Sequence, residues 1–96
     1  MSVTAIIKLT ANPGKREELE LAMAAAVAAT AAQPECLAIE LLRCVEDQHQ
    51  LLLIEQWTSQ QAHVEFIQGV IAGGGLEPLL ALLATEMETF HYTPSE

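Results

Sequence analysis

Positive charge is what this 96-residue chain has least of. Lys8, Lys15, Arg16 and Arg43 are its only permanent cations, and the formal net charge is −9. Four scattered cations cannot form the basic stripe that a phosphate backbone requires, which excludes nucleic-acid binding and, by the same argument, anionic membrane surfaces. Aromatics make up only 4% of the sequence. No apolar run approaches the ~18 residues of a membrane-spanning helix, and MSVTAIIKLT lacks the layout of a secretory signal, so a cytoplasmic location is expected. Cysteine is scarce too. Cys36 and Cys44 sit at the two ends of one expected strand, on the order of 26 Å apart, too far for a bridge within one chain. With no third or fourth ligand beside them, they are not a zinc signature.

Apolar side chains are plentiful, at 51% of the sequence. That lies above the band for soluble domains and points to a subunit interface or an apolar cavity. The length fits one domain over residues 1–96. A chain this short buries only about two-thirds of its unfolded surface, and pairing with a second copy is a common remedy.

The element order follows from periodicity and turn chemistry. VTAIIKLT (3–10) is β-branched and partly alternating, a strand. Asn12 is placed as an N-cap with Pro13 at the first position of a helix that runs to about Gln33, before Pro34. Early Glu17, Glu18 and Glu20 suit the helix dipole, and Leu19, Met23, Ala26, Val27 and Thr30 share one face. CLAIELLRC (36–44) is a second strand, with Leu37, Ile39 and Leu41 on one face and Ala38, Glu40 and Leu42 on the other. A turn at EDQH (46–49) leads into a third, QLLLIEQW (50–57), making an antiparallel hairpin. Thr58 and Gln61 fit a capping box for a helix over 59–71. GGG (73–75) interrupts it, and PLLALLAT forms a short helix with Pro78 near its start. EMETFHY (86–92) closes the chain as a strand. The order βαββαβ, with the second helix split, is the ferredoxin-like α+β arrangement with an antiparallel sheet. Both middle strands carry apolar residues on both faces, so both sheet faces need cover. The chain's helices supply one side, and a second copy is the simplest source of the other.

The candidate chemistry lies between Leu53 and Phe66. Glu55 and Trp57 share a strand face with Leu51 and Leu53, and a carboxylate there calls for a salt bridge or a polar site. Arg43 on the adjacent strand is the first candidate partner. His63 precedes Phe66 and Ile67 by three and four residues, so it sits on an apolar helical stripe. A neutral histidine held by a backbone or carboxylate partner is the ordinary reading, and a proton relay or ligand contact the functional one. His49 falls in a turn, and His91 on the last strand is compatible with either face. Three histidines in three elements, without helical pairing, are no metal signature. GGG lacks the Lys-Ser/Thr of a phosphate loop. No Ser-His-Asp or Cys-His arrangement and no cofactor fingerprint can be read from the spacing.

Four segments carry a further signal. I-K-L-x-x-x-P-G-K-x-E-E-L at 7–19, P-x-C-L-x-x-E-L at 34–41, E-D at 46–47 and L-x-x-x-E-Q-W-T-S-x-x-A at 51–62 together resemble the antibiotic biosynthesis monooxygenase family. The resemblance implies a subunit of a dimeric α+β barrel, with a pocket between sheet and helices. Active members of that family include oxygenases of quinols, anthrones and related polyketide phenols that use no metal or flavin. On that implication His63 and Glu55 are the candidate catalytic residues, Trp57, Phe66, Ile7 and Leu53 the candidate substrate contacts, and a small apolar aromatic the ligand. Cofactors and metals are expected to be absent. The sequence departs from the family at three places. A histidine common nine residues after the tryptophan is Phe66 here, with His63 three residues earlier. A glycine often found before the cysteine is Glu35, and an aromatic three residues after it is Ile39. The haem-degrading branch needs an Asn where Ile7 stands and a His where Phe66 or Ile67 stands, so that activity is rejected. The alternative is a non-oxidising binding or accessory dimer, or an isomerase or cyclase, on the same scaffold.

Overall fold

The computed structural model describes residues 2–95. Its elements are β1 (Val3–Thr10), α1 (Arg16–Ala31), β2 (Cys36–Arg43), β3 (Gln50–Trp57), α2 (Gln60–Ala72), α3 (Glu77–Leu80) and β4 (Glu88–Tyr92). The four strands form one antiparallel sheet in the order β2-β3-β1-β4, which is the ferredoxin-like α+β fold. Among the described residues no helix is long and apolar enough to cross a membrane.

Period-two alternation decides which face is covered. Val3, Ala5, Ile7 and Leu9 of β1 are buried, as are Leu51, Leu53, Glu55 and Trp57 of β3. Leu19 and Met23 of α1 close over Ile7, Leu9, Leu51 and Leu53 to make the larger core. Val3, Ala5 and Trp57 form a second, smaller cluster, with Phe66 of α2 packed on it. The opposite sheet face carries Leu42, Leu52, Ile54, Ile6, Phe90 and Tyr92, with Lys8, Glu40, Thr4, Gln56 and Glu88 in the same rows. Among the described residues no element covers it, and Phe90 and Tyr92 are 46% and 52% exposed.

Local chemistry moves several boundaries from where the sequence pattern put them. Asn12 and Pro13 do not start α1. Gly14 adopts φ 80°, and the Lys15 N–H donates to the Asn12 carbonyl at 2.9 Å. Pro followed by a positive-φ glycine is the signature of a type II turn, and that turn displaces the N-cap. The helix begins at Arg16 with no side-chain cap, while the Asn12 amide donates to the Leu83 carbonyl at 3.2 Å. The α1 helix also stops earlier than Gln33, at Ala31. Ser59, not Thr58, caps α2, its hydroxyl accepting from the Ala62 N–H at 3.1 Å. Thr58 is bound instead to Glu35, through its backbone N–H at 3.0 Å and its hydroxyl at 2.5 Å. The third helix is only four residues long. Residues 82–84 leave it because the end of β1 captures their backbone, with Asn12 N–H to Leu82 O and Ala84 N–H to Thr10 O. The last strand is correspondingly shorter than 86–92 and begins at Glu88. Leu37 does not share the inner face with Ile39 and Leu41 but is exposed, because the β2–β3 register shifts between Cys36 and Ala38.

Candidate functional site

Between the covered sheet face and the helices lies a cavity of about 560 Å³, within the usual size range of small-molecule sites. Ile7 and Leu53 form its floor, Met23, Ala26 and Thr30 its α1 wall, and Phe66 and Ile67 its α2 wall. Leu76, Pro78 and Leu79 of the α3 region close a further side. The alanines of α1 matter here because a helix with short side chains leaves room over the sheet. Glu55, His63 and His91 are the titratable groups in the lining, and the rest of the surface is almost wholly apolar.

Register explains how these three meet. Ala5 lies opposite Glu55 on one side and opposite His91 on the other, so the inward row across the sheet reads Ile39, Glu55, Ala5, His91. Ala5 has the smallest side chain of the row and is completely buried. Above it α2 inserts His63, 2% exposed. The His63 Nδ1 lies 2.8 Å from His91 Nε2, one ring donating to the other according to tautomer. Its Nε2 has no hydrogen-bond partner and sits 3.5 Å from Glu55 Oε1. That oxygen accepts a 2.7 Å hydrogen bond from the Trp57 indole N–H. Burial pushes the Glu55 carboxyl up from its ordinary value, against the lowering effect of the Trp57 bond. Burial, with the nearby charge of His91, pushes His63 down to about 4. Both shifts favour uncharged forms, as desolvation must.

The expected Arg43–Glu55 pair is not formed. Arg43 stands opposite Leu51, four residues along β2 from the neighbour of Glu55, or about 13 Å at ~3.3 Å per residue. It binds Glu20 of α1 instead, through Nε at 2.9 Å and an Nη at 2.7 Å. Arg16 donates to the same carboxylate at 2.8 Å. Trp57 also departs from its assigned place, because its ring does not line the main cavity. It lies behind, with ring centres 5.2 Å from His63 and 5.4 Å from Phe66, and faces a separate shallow hollow toward Glu35 and Ser59. Its part in the site is to hold Glu55. His49 is remote from the cavity, in the β2–β3 turn, where its backbone N–H donates to Asp47 at 2.9 Å. Cys36 and Cys44 are free thiols. Among the described residues no group of three or more His, Cys, Asp or Glu is arranged to hold a metal ion.

Spacing alone left the face of His91 open and did not single out Thr89, yet both line the cavity. The alternation of β4 carried the signal, but only the pairing of Ala5 with His91 shows which face turns inward.

A small α+β domain with an apolar cavity and one polar end has the form common to small-molecule sites. Residues 2–69 match the family model described as antibiotic biosynthesis monooxygenase, and the chain belongs to that family. Solved structures agree with the fold. PA3566 from Pseudomonas aeruginosa is 30% identical, with a TM-score of 0.81 over 99% of this chain and 95% of that one. A variant of SnoaB from Streptomyces nogalater, described as a cofactor-independent oxygenase, is 26% identical, with a TM-score of 0.75 over 99% and 94%. Rv0793 from Mycobacterium tuberculosis is 20% identical, with a TM-score of 0.87 over 100% and 97%. No curated protein matches the chain by sequence.

Proposed function

We propose that this protein, a single domain over residues 1–96, is a cofactor-independent monooxygenase of small aromatic hydroxy compounds such as quinols, anthrones and polyketide phenols. The observation that carries this reading is the cavity itself, an apolar chamber whose ionisable groups are gathered at one end. Electron-rich phenols react with dioxygen once ionised, because the phenolate can give up an electron where the phenol cannot. The protein then has to bind an aromatic ring, exclude water and remove a proton. Ile7, Leu53 and Phe66 offer the ring an apolar slot. Glu55 and His63 supply the base, and Trp57 keeps the Glu55 carboxylate aimed. The likeness to SnoaB supports the chemistry without a cofactor.

The active form is a homodimer in this reading. On the uncovered face Ile6, Leu42, Leu52, Ile54, Phe90 and Tyr92 alternate with Lys8, Glu40, Gln56 and Glu88, and a second copy related by a two-fold axis would bury the apolar ones. A cytoplasmic setting suits two free thiols.

Oxygen uptake by purified protein with a panel of quinols and anthrones tests the function. Uptake well above the buffer rate, reduced by His63→Ala and Trp57→Phe, is expected. Uptake equal to buffer across the panel overturns it. A bound aromatic without oxygen consumption would instead favour a binding, isomerase or cyclase role, which the Phe66 substitution within the cavity wall makes the second reading.

A further inference from the structure

The polar end of the cavity is a continuous file of side chains from three elements. Glu55 on β3 and His91 on β4 flank Ala5 of β1, so their backbones are two strand spacings apart, about 9.6 Å at ~4.8 Å each. Ala5 between them is fully buried, and the imidazole of His63 spans from Glu55 to His91. One ring nitrogen of His63 is bonded to His91 and the other is directed at Glu55. His91 is the outermost of the three, half-buried on the edge strand, and it lines the cavity. Its Nε2 is engaged by His63, which leaves Nδ1 as the nitrogen available to a ligand.

We propose that Glu55, His63 and His91 form a proton relay in which His91 takes the hydroxyl proton of the bound aromatic and Glu55 finally holds it. This inference rests on the functional reading above, and it makes His91 the catalytic residue in contact with substrate. The substrate O–H bond breaks as its proton moves to His91 Nδ1, and the electron pair stays on the phenolate oxygen. His91 passes its Nε2 proton to His63 Nδ1, and His63 passes its Nε2 proton to Glu55. Both imidazoles end neutral, each with its proton on the other nitrogen. One negative charge disappears from Glu55 and one appears on the substrate, so the net charge of the buried site is constant.

Electrostatics favour this division of labour. A buried imidazolium beside a buried carboxylate would be two desolvated charges. Burial shifts His63 down and Glu55 up, so a neutral imidazole with a protonated carboxyl is the preferred resting place for the proton. The other titratable neighbour is Cys36 at the start of β2, whose thiol is pushed up by burial and by the charge of Glu55 and so stays protonated. From α1 only alanines, Met23 and Thr30 face the chamber. The 3.5 Å separation of His63 Nε2 and Glu55 Oε1 closes by roughly 0.6–0.8 Å to reach charge-assisted hydrogen-bond length, a tightening common when a catalytic site fills.

Anaerobic binding of 4-nitrophenol to the full chain tests the relay without any turnover. The measurement is made about one pH unit below the pKa of the free phenol. Visible absorbance reads how much of the bound probe is phenolate, and infrared difference spectroscopy reads the C=O stretch of a newly protonated carboxyl. The relay predicts bound phenolate together with a new carboxyl band that Glu55→Gln removes. His91→Phe should still bind the probe within a few-fold, but with the phenolate fraction down at least about tenfold. Phenolate formation without a carboxyl band overturns the relay, and so does a Glu55 carboxyl band already present before binding. Ionisation undiminished in His91→Phe, or binding with no ionisation, overturns it as well while leaving the functional reading intact. If the phenol does not bind, the relay falls, and oxygen uptake with the quinol and anthrone panel separately decides the functional reading. The wild-type infrared result decides the matter even if a variant fails to fold.

Discussion

Two ends of one sheet, one packed under α1 and the other under α2, are built on opposite principles. Around Leu9 and Leu51 the space between sheet and helix is filled by Leu19 and Met23, and every contact is apolar. Four residues up β1, at Ala5, the equivalent space holds an imidazole, with a carboxylate on one flank and a second imidazole on the other. Volume is filled in both places, but only the first gains the full stabilisation of apolar burial. The second leaves His63 Nε2 without a hydrogen bond and forces two titratable groups away from their charged forms. Such a row at a cavity wall costs stability, and substitutions at the two ends should respond in opposite ways.

The largest effect on stability belongs to the dry end. Leu19→Ala removes a fully buried side chain from the centre of the core and should cost about 2–5 kcal/mol, read as a lower urea midpoint with an unchanged m-value. His63→Leu should lower the midpoint far less, or raise it, because a packed apolar side chain replaces an imperfectly bonded polar one. A loss in His63→Leu as large as that in Leu19→Ala would erase the contrast.

Trp57→Phe comes next. It keeps most of the buried ring but removes the indole donor to Glu55, leaving the carboxylate short of a partner at a cost of about 1–3 kcal/mol. The same substitution should push the Glu55 pKa further up, since the lost bond was the lowering influence. A carboxyl titration by infrared that did not move upward would show that Trp57 does not hold Glu55.

The pH dependence separates the ends again. The folded-state pKa of His63 is depressed, from 6.5 to about 4. Its contribution to stability is therefore complete above pH ~6.5 and lost as pH falls toward ~4, with an upper bound of about 3 kcal/mol. Glu55 acts with the opposite sign. Its raised pKa favours the fold at low pH, and that contribution fades as pH rises through the folded-state value. Thermal melts between pH 7 and pH 4 should show a smaller acid loss in His63→Leu than in wild type. Equal slopes would mean that His63 is not held neutral by the fold. The smallest effect is expected from Arg43→Ala, an exposed ion pair with Glu20 on the far side of the dry core. Its urea midpoint should shift by little more than experimental error.

Particular residues show how far the sequence could be read. The alternation of β1 and β3 and the α1 stripe through Leu19, Met23 and Thr30 placed the sheet and its covered face, because periodicity is a local signal. Turn chemistry within Asn12-Pro13-Gly14-Lys15 was also local, but two motifs competed there and the glycine decided. Pairing register was not legible. Arg43 and Glu55 lie on adjacent strands and share a face, yet the offset along β2 keeps them apart, and nothing in either segment states that offset. His91 was hidden for the same reason, since an edge strand of five residues does not reveal its inner face until Ala5 is seen opposite it. Spacing grouped Glu55 with Leu53 and His63 with Phe66, but only the fold lays α2 across the sheet and brings the two pairs to one cavity.

In the proposed function the polar row is the reactive end of a chamber for aromatic hydroxy compounds. Oxygen uptake by wild type and His63→Leu, compared side by side at a pH where both are fully folded, tests it most directly. Uptake with at least one quinol or anthrone is expected, falling by roughly 100-fold or more in the variant. Equal uptake by the two proteins, or none above buffer by either, would contradict it.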